Sequence, residues 1–179
     1  FDLSLKTAGI IAGLFGLMNL FARTLGGVFS DWMARRVGFQ GRIFFLFAVV
    51  LCEGLALMLF SQQSVLVLAV GSMLVFSLFV QMTEGATYGI VPFVNKKALG
   101  AVAGIVGAGG NVGAVAAGFL FKSENISYSE GLFIIGCIVA CVSVLVLLVR
   151  FSPEDIKEQD AALAEALAQR EAAKAEQAA

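Results

Sequence analysis

The run from Leu99 to Phe121, LGAVAGIVGAGGNVGAVAAGFLF, carries no charged residue. A helix needs roughly 20 predominantly apolar residues to cross the hydrocarbon core of a bilayer, and this run has that length. Four further apolar runs accompany it, and the five spans are drawn at about Thr7–Ser30, Ile43–Phe60, Val65–Pro92, Ala98–Phe121 and Gly131–Phe151. Backbone in hydrocarbon must satisfy its own hydrogen bonds, which a helix does within one segment. The expected fold class is therefore an all-α membrane protein. The links DWMARRVGFQGR, SQQS, VNKK and KSENISYSE are short, so successive spans should run antiparallel in a compact bundle. Composition agrees: 59% of residues are hydrophobic, against about 45–50% in soluble domains, and mean hydropathy is +0.92.

The net charge of −1 conceals a division. From Glu154 onward seven acids face three bases, whereas the preceding chain has nine bases and six acids. Antiparallel threading puts Arg35, Arg36, Arg42, Lys96, Lys97 and Arg150 on one side and leaves Lys6 and Lys122 on the other. Basic residues concentrate on the cytoplasmic face, so the 31–42 loop, the turn at Asn95–Lys97 and the C-terminal tail are expected there. Trp32 then falls at the interface, where indoles are enriched. The expected location is a plasma membrane or bacterial inner membrane. On the outer side, Asn125-Ile126-Ser127 would be a glycosylation acceptor in a eukaryote.

The tail, residues 152–179, is acidic and alanine-rich. Ser152-Pro153-Glu154-Asp155 supplies an N-cap hydroxyl, a proline at the first helical position and an early acid. A cytoplasmic helix is expected, frayed toward Ala179. Its apolar stripe is thin (Ile156, Leu163, Leu167), so it reads as a solvated extension before a partner-binding element.

Enzymatic chemistry has little to work with. Histidine is absent, which removes the commonest general base and metal ligand. Cys52, Cys137 and Cys141 lie inside apolar runs without metal-ligand or disulfide spacing and read as small apolar residues. No metal, cofactor or nucleic-acid partner is expected. No basic leader precedes Phe1, and the chain starts abruptly, as a fragment would.

Three ionisable residues fall within the spans: Arg23, Glu53 and Glu84. A charge at bilayer depth costs about 2.5–3.5 kcal/mol on insertion scales, which makes each a functional candidate. Arg23 offers a planar fork of donors suited to flat oxyanions; the structural alternative is a snorkelling or ion-paired arginine. Glu84 sits among Gln81, Thr83, Thr87 and Tyr88, as if facing a wet cavity. It can titrate as a proton carrier, pair with a basic residue, or be satisfied by helix–helix hydrogen bonds. Glu53 reads first as a packing or ion-pair residue. In GGVFSDWMARR, Gly27, Asp31, Arg35 and Arg36 suit a latch, with Asp31 pairing Arg35, Arg36 or a neighbouring helix end.

The seven glycines from Gly100 to Gly118 should weaken a helix, each by about 0.5–1 kcal/mol relative to alanine. Something must offset that, and close backbone approach is the natural candidate. The stretch imitates a dinucleotide-binding loop, but it lies inside one apolar span with no surrounding βαβ pattern. Tight helix packing is the simplest reading, with direct ligand contact second. Asn111 is the polar residue in the middle of the run.

Three blocks carry a resemblance: FDLSLKTAGIIAGLFGLMNLFARTLGGVFSDWMARR, EGATYGIVPFVNKKALG and AGIVGAGGNVGAVAAGFLF. In that order they resemble the C-terminal part of a nitrate/nitrite porter of the major facilitator superfamily. The last block looks like the family's second nitrate-signature segment, and GGVFSD–ARR like the superfamily's cytoplasmic loop motif. The resemblance implies that the spans are helices eight to twelve of about twelve, six per half. It implies that Arg23 binds the anion at the membrane midplane and that Gly104, Gly107, Gly109, Gly110, Asn111 and Gly113 line its path. The implied partners are nitrate or nitrite, the lipid bilayer and a first bundle absent from this chain. Without that bundle the chain alone should not transport. A porter for another small anion, or a small membrane packing or anchor protein, are the alternatives.

Overall fold

The computed structural model describes residues 1–178, and for Lys96, Arg170, Glu171 and residues 173–178 their backbone only. The side chains of Lys96, Arg170, Lys174 and the two tail acids Glu171 and Glu176, and the fraying expected at Ala179, thus lie outside the described residues.

Every regular element among the described residues is helical. The order is α1 (Leu5–Val37), α2 (Gln40–Ser61), α3 (Leu66–Tyr88), the short α4 (Val91–Val94), a 3-10 turn at Lys96–Ala98, α5 (Leu99–Phe121), α6 (Tyr128–Val146) and α7 (Pro153–Ala178). Five segments are long and apolar enough to cross a membrane, the third running from Leu66 through Val94. The boundaries have local causes. Ser4 caps α1 by accepting from the Thr7 N–H, and Asn95 accepts from the N–H groups of Lys97 and Ala98. Ser127 and Glu130 form a capping box at the start of α6. Ser152 accepts from the Asp155 N–H at 3.0 Å, so α7 begins at Pro153 as its sequence predicts. Gly38, at φ +80°, turns the chain from α1 into α2, a conformation that a side chain would strain.

Packing is concentrated at small residues. α1 and α3 cross with Ala22, Ser30, Ser77 and Ala86 fully enclosed. At this crossing Gly26 lies against the Met82 main chain and Gly85 against that of Arg23 and Gly27. The Ser77 hydroxyl donates to the Phe15 carbonyl across the same pair of helices, 3.1 Å away. α2 and α6 meet in the same manner, with Gly54 against Ala140 and Gly136 against Met58. Lipid tails supply little driving force for helix association, so close backbone contact of this kind holds membrane helices together.

The glycine-rich α5 behaves otherwise. None of its residues is buried, and a Cβ added at Gly100, Gly104, Gly109, Gly110, Gly113 or Gly118 would meet no atom within 4 Å. The packing reading of this run is therefore not met within the described residues. Short loops set the direction of neighbouring helices but not which face they bury, and α5 stands at the edge of the bundle.

The tail also departs from expectation. Asp160 lies on the same helical face as Ile156, Leu163 and Leu167, at i+4, i+7 and i+11 spacing. That face is half-buried, and the Asp160 carboxylate accepts from the Phe39 N–H at 2.8 Å. α7 is thus docked on the α1–α2 turn rather than extended into solvent, because a charged acceptor on the stripe supplements its few apolar contacts. A hydrogen bond to a charged group contributes roughly 1.5 kcal/mol or more. Asp160→Ala should make cleavage within α7 about tenfold faster in limited proteolysis, with the helical bundle itself remaining resistant.

Candidate functional site

The α1–α3 crossing sets the site. With no side chain between Gly26, Gly85 and the facing main chains, Arg23 of α1 comes level with Glu84 of α3. A guanidinium nitrogen of Arg23 stands 2.9 Å from Glu84 Oε1. One turn further along α3, the Tyr88 ring lies under the same guanidinium, 5.3 Å from its centroid. The pair answers the question left by the isolated residues: each charge neutralises the other, which offsets the cost of placing either at membrane depth. Yet the pair is not sealed. The Arg23 side chain is 44% exposed and that of Glu84 41%. Donors of the guanidinium are therefore left uncovered by the described residues.

Tyr88 links this cluster to α5. Its hydroxyl is 4.0 Å from where a Cβ on Gly107 would stand. Advancing about 100° per residue, Gly104, Gly107, Gly110 and Asn111 share the face that looks toward Tyr88, whereas Gly109 and Gly113 turn away from it. The six α5 residues expected to form one wall are split between two faces. Asn111 is exposed, and its amide has no hydrogen-bond partner among the described residues. The N–H groups of an intact helix are committed to its own carbonyls. Glycines on this face thus give a ligand room, and the Asn111 amide gives it a donor.

Thr87, also expected to line the cavity, is half-buried beside Tyr88. Glu53 lies on α2 against Thr83 and forms no ion pair among the described residues, so of its two expected roles packing is the one observed. Cys52 and Cys137 are half-buried, Cys141 exposed, and all three are free thiols.

The second candidate cluster is rearranged. Asp31 pairs with neither Arg35 nor Arg36 through its carboxylate. Its partner is Arg42, at 2.5 Å across the α1–α2 turn. Arg35 Nε donates instead to the Asp31 main-chain carbonyl, and Arg36 stacks over Trp32 at 4.7 Å. Of the three partners the sequence allowed, the neighbouring helix end is the one observed: Arg42 stands in the first turn of α2, and the turn at Gly38 brings it back to Asp31, whereas Arg35 and Arg36 follow Asp31 on its own helix. Arg42 also lies over the Phe93 ring, and Phe39 packs edge-on against both Phe93 and Phe151. Gly27 belongs to the α1–α3 crossing rather than to this cluster.

Several known proteins are similar to this chain over most of its length. High affinity nitrate transporter 2.5 of Arabidopsis thaliana is 41% identical over 176 residues, covering 92% of this chain and 35% of that protein. The nitrate/nitrite transporter NrtP of Picosynechococcus is 42% identical over 121 residues, 65% of this chain and 21% of its own. Over most of its length the chain is similar to nitrate and nitrate/nitrite transporters, as a fragment of such a porter would be. It is an integral membrane protein, and its relatives are named as transporters rather than enzymes. A more distant relative, elsinochrome transporter 1 of Elsinoe fawcettii, is 32% identical over 161 residues, 86% of this chain and 31% of its own. The chain spans between about a fifth and a third of the length of these curated relatives. No protein-family model matches it, and no solved structure does.

Proposed function

We propose that this chain is one part of a nitrate/nitrite transporter, in which Arg23 and the Tyr88-facing side of α5 hold the anion. The observation that carries the reading is the half-open guanidinium of Arg23, set beside Tyr88 and opposite the Gly107 face of α5. Nitrate is small, flat and singly charged, and a guanidinium can donate to two of its oxygens in the ion's own plane. Glycine at 104, 107 and 110 leaves room for it against the helix, and Asn111 supplies a neutral donor. Gly109 and Gly113, on the other face of α5, meet the bundle that the rest of the transporter contributes. Transport then proceeds by alternating access, one bundle rocking against the other around the site.

The basic end of the bundle, with Arg35, Arg36 and Arg42, faces the cytoplasm, and the C-terminal tail lies there with it. The Asp31–Arg42 pair and the docked α7 close that end. The five spans sit in lipid, and the tail from Ser152 onward is cytoplasmic, held to that end of the bundle through Asp160.

The test is counterflow. Full-length transporter in liposomes preloaded with nitrate should accumulate labelled nitrate from outside, and unlabelled nitrite should compete. Asn111→Ala should weaken apparent affinity by about tenfold, the worth of one hydrogen bond to a charged ligand. Absence of counterflow in the wild type would refute the reading.

A further inference from the structure

The ion pair at the centre of the site has a consequence for what moves with the anion. Glu84 Oε1 already occupies a donor of the Arg23 guanidinium at 2.9 Å. An incoming anion competes with that carboxylate for the same fork of donors. If the anion won and Glu84 stayed ionised, the site would hold two negative charges against one positive, at a depth where an unpaired charge costs several kcal/mol. Proton uptake by Glu84 removes that excess. We propose that Glu84 is a displaceable counter-ion, which releases Arg23 to the anion as its carboxylate takes one proton, so that each bound anion brings one proton into the site.

The proposal rests on the anion reading of Arg23 and adds to it a stoichiometry. Charge balances in both states: guanidinium with carboxylate before binding, guanidinium with anion and a neutral carboxylic acid after it. The proton comes from water, reaching a side chain that is 41% exposed. Few other groups compete for the role. Arg23 faces Glu84 from α1, and the Tyr88 phenol is one turn away on α3. α2 contributes Glu53, directed to Thr83, with Cys52 beside it. α4 and α5 contribute none, since neither contains an ionisable side chain. Of these, Glu84 is the group bonded to the guanidinium that the anion must take.

Glu84 acts through Arg23, so its test is a proton count and a pH profile. Full-length transporter in detergent and weak buffer is titrated with nitrate while a dye reports pH. The wild type should take up about one proton per nitrate bound, and its nitrate Kd should rise up to tenfold per pH unit where Glu84 is ionised before binding. Glu84→Gln should bind nitrate with no proton uptake and a Kd flat with pH, and Glu84→Asp should restore both effects. Nitrate binding by the wild type without proton uptake would overturn the proposal and leave the anion site standing. Undiminished uptake in Glu84→Gln would do the same. No nitrate binding by the wild type would remove the anion reading and the proposal together. If Glu84→Gln does not fold, the wild-type proton count and the Glu84→Asp profile decide the matter.

Discussion

Arg23→Lys is expected to lower nitrate uptake by about 100-fold at low nitrate, while the full-length protein reaches the membrane in wild-type amount. Lysine keeps the positive charge and its pairing with Glu84. What it loses is the planar fork, since an ammonium is a point charge that cannot donate to two nitrate oxygens in one plane. Losing charge-assisted hydrogen bonds of about 1.5–3 kcal/mol gives a factor of ten to over a hundred, and poor centring of the anion adds to it. Because the charge is retained, Glu84 is not left alone at membrane depth and the bundle should fold. Initial-rate uptake of labelled nitrate, normalised to surface protein, measures the effect. Uptake within threefold of wild type would remove Arg23 from the site.

The second large effect concerns a glycine that touches no ligand. Gly85→Val should destabilise the chain by about 3 kcal/mol or more and abolish transport by the full-length protein. A Cβ at Gly85 would press on the main-chain carbonyl of Arg23 and stand 3.1 Å from the Gly27 nitrogen. Overpacking a core by a methylene costs about 1–3 kcal/mol even where side chains can give way, and here the obstacle is backbone. α1 and α3 would have to separate, which also parts Arg23 from Glu84. Gly109→Ala is the informative contrast, because a Cβ there meets nothing within 4 Å. In this chain it should gain about 0.5–1 kcal/mol of helix propensity. Thermal unfolding of the two purified variants, followed by aggregation or fluorescence, separates them. Equal stability would mean that the α1–α3 contact is not what holds this part of the bundle.

That contrast shows what the sequence could and could not convey. The five helices were legible because a bilayer imposes a length and a composition that runs such as Ile43–Phe60 display openly. The importance of Arg23 and Glu84 was legible for a related reason, since charge is conspicuous where apolar residues are required. Their pairing was not, because it depends on the level at which α1 crosses α3, and that level is set by Gly26 and Gly85. Glycine gives no sign of which kind it is. The densest run, in α5, invited a packing interpretation and meets no close neighbour among the described residues, whereas the scattered Gly26, Gly54, Gly85 and Gly136 make the close contacts. For Asp31 the sequence left three partners open, and only the turn at Gly38 selects the neighbouring helix end, where Arg42 stands, over the two arginines nearer in sequence. The α7 docking was hidden because Asp160 looks like one of many tail acids until it is placed on the face shared by Ile156, Leu163 and Leu167.

The most direct test of the anion site is a structure of the full-length transporter with nitrate bound. Planar density is expected with oxygens about 2.7–2.9 Å from the Arg23 guanidinium, between it and the Gly107–Asn111 face of α5, with Glu84 withdrawn from the pair. Nitrate density elsewhere, with the Arg23–Glu84 pair intact, would contradict it.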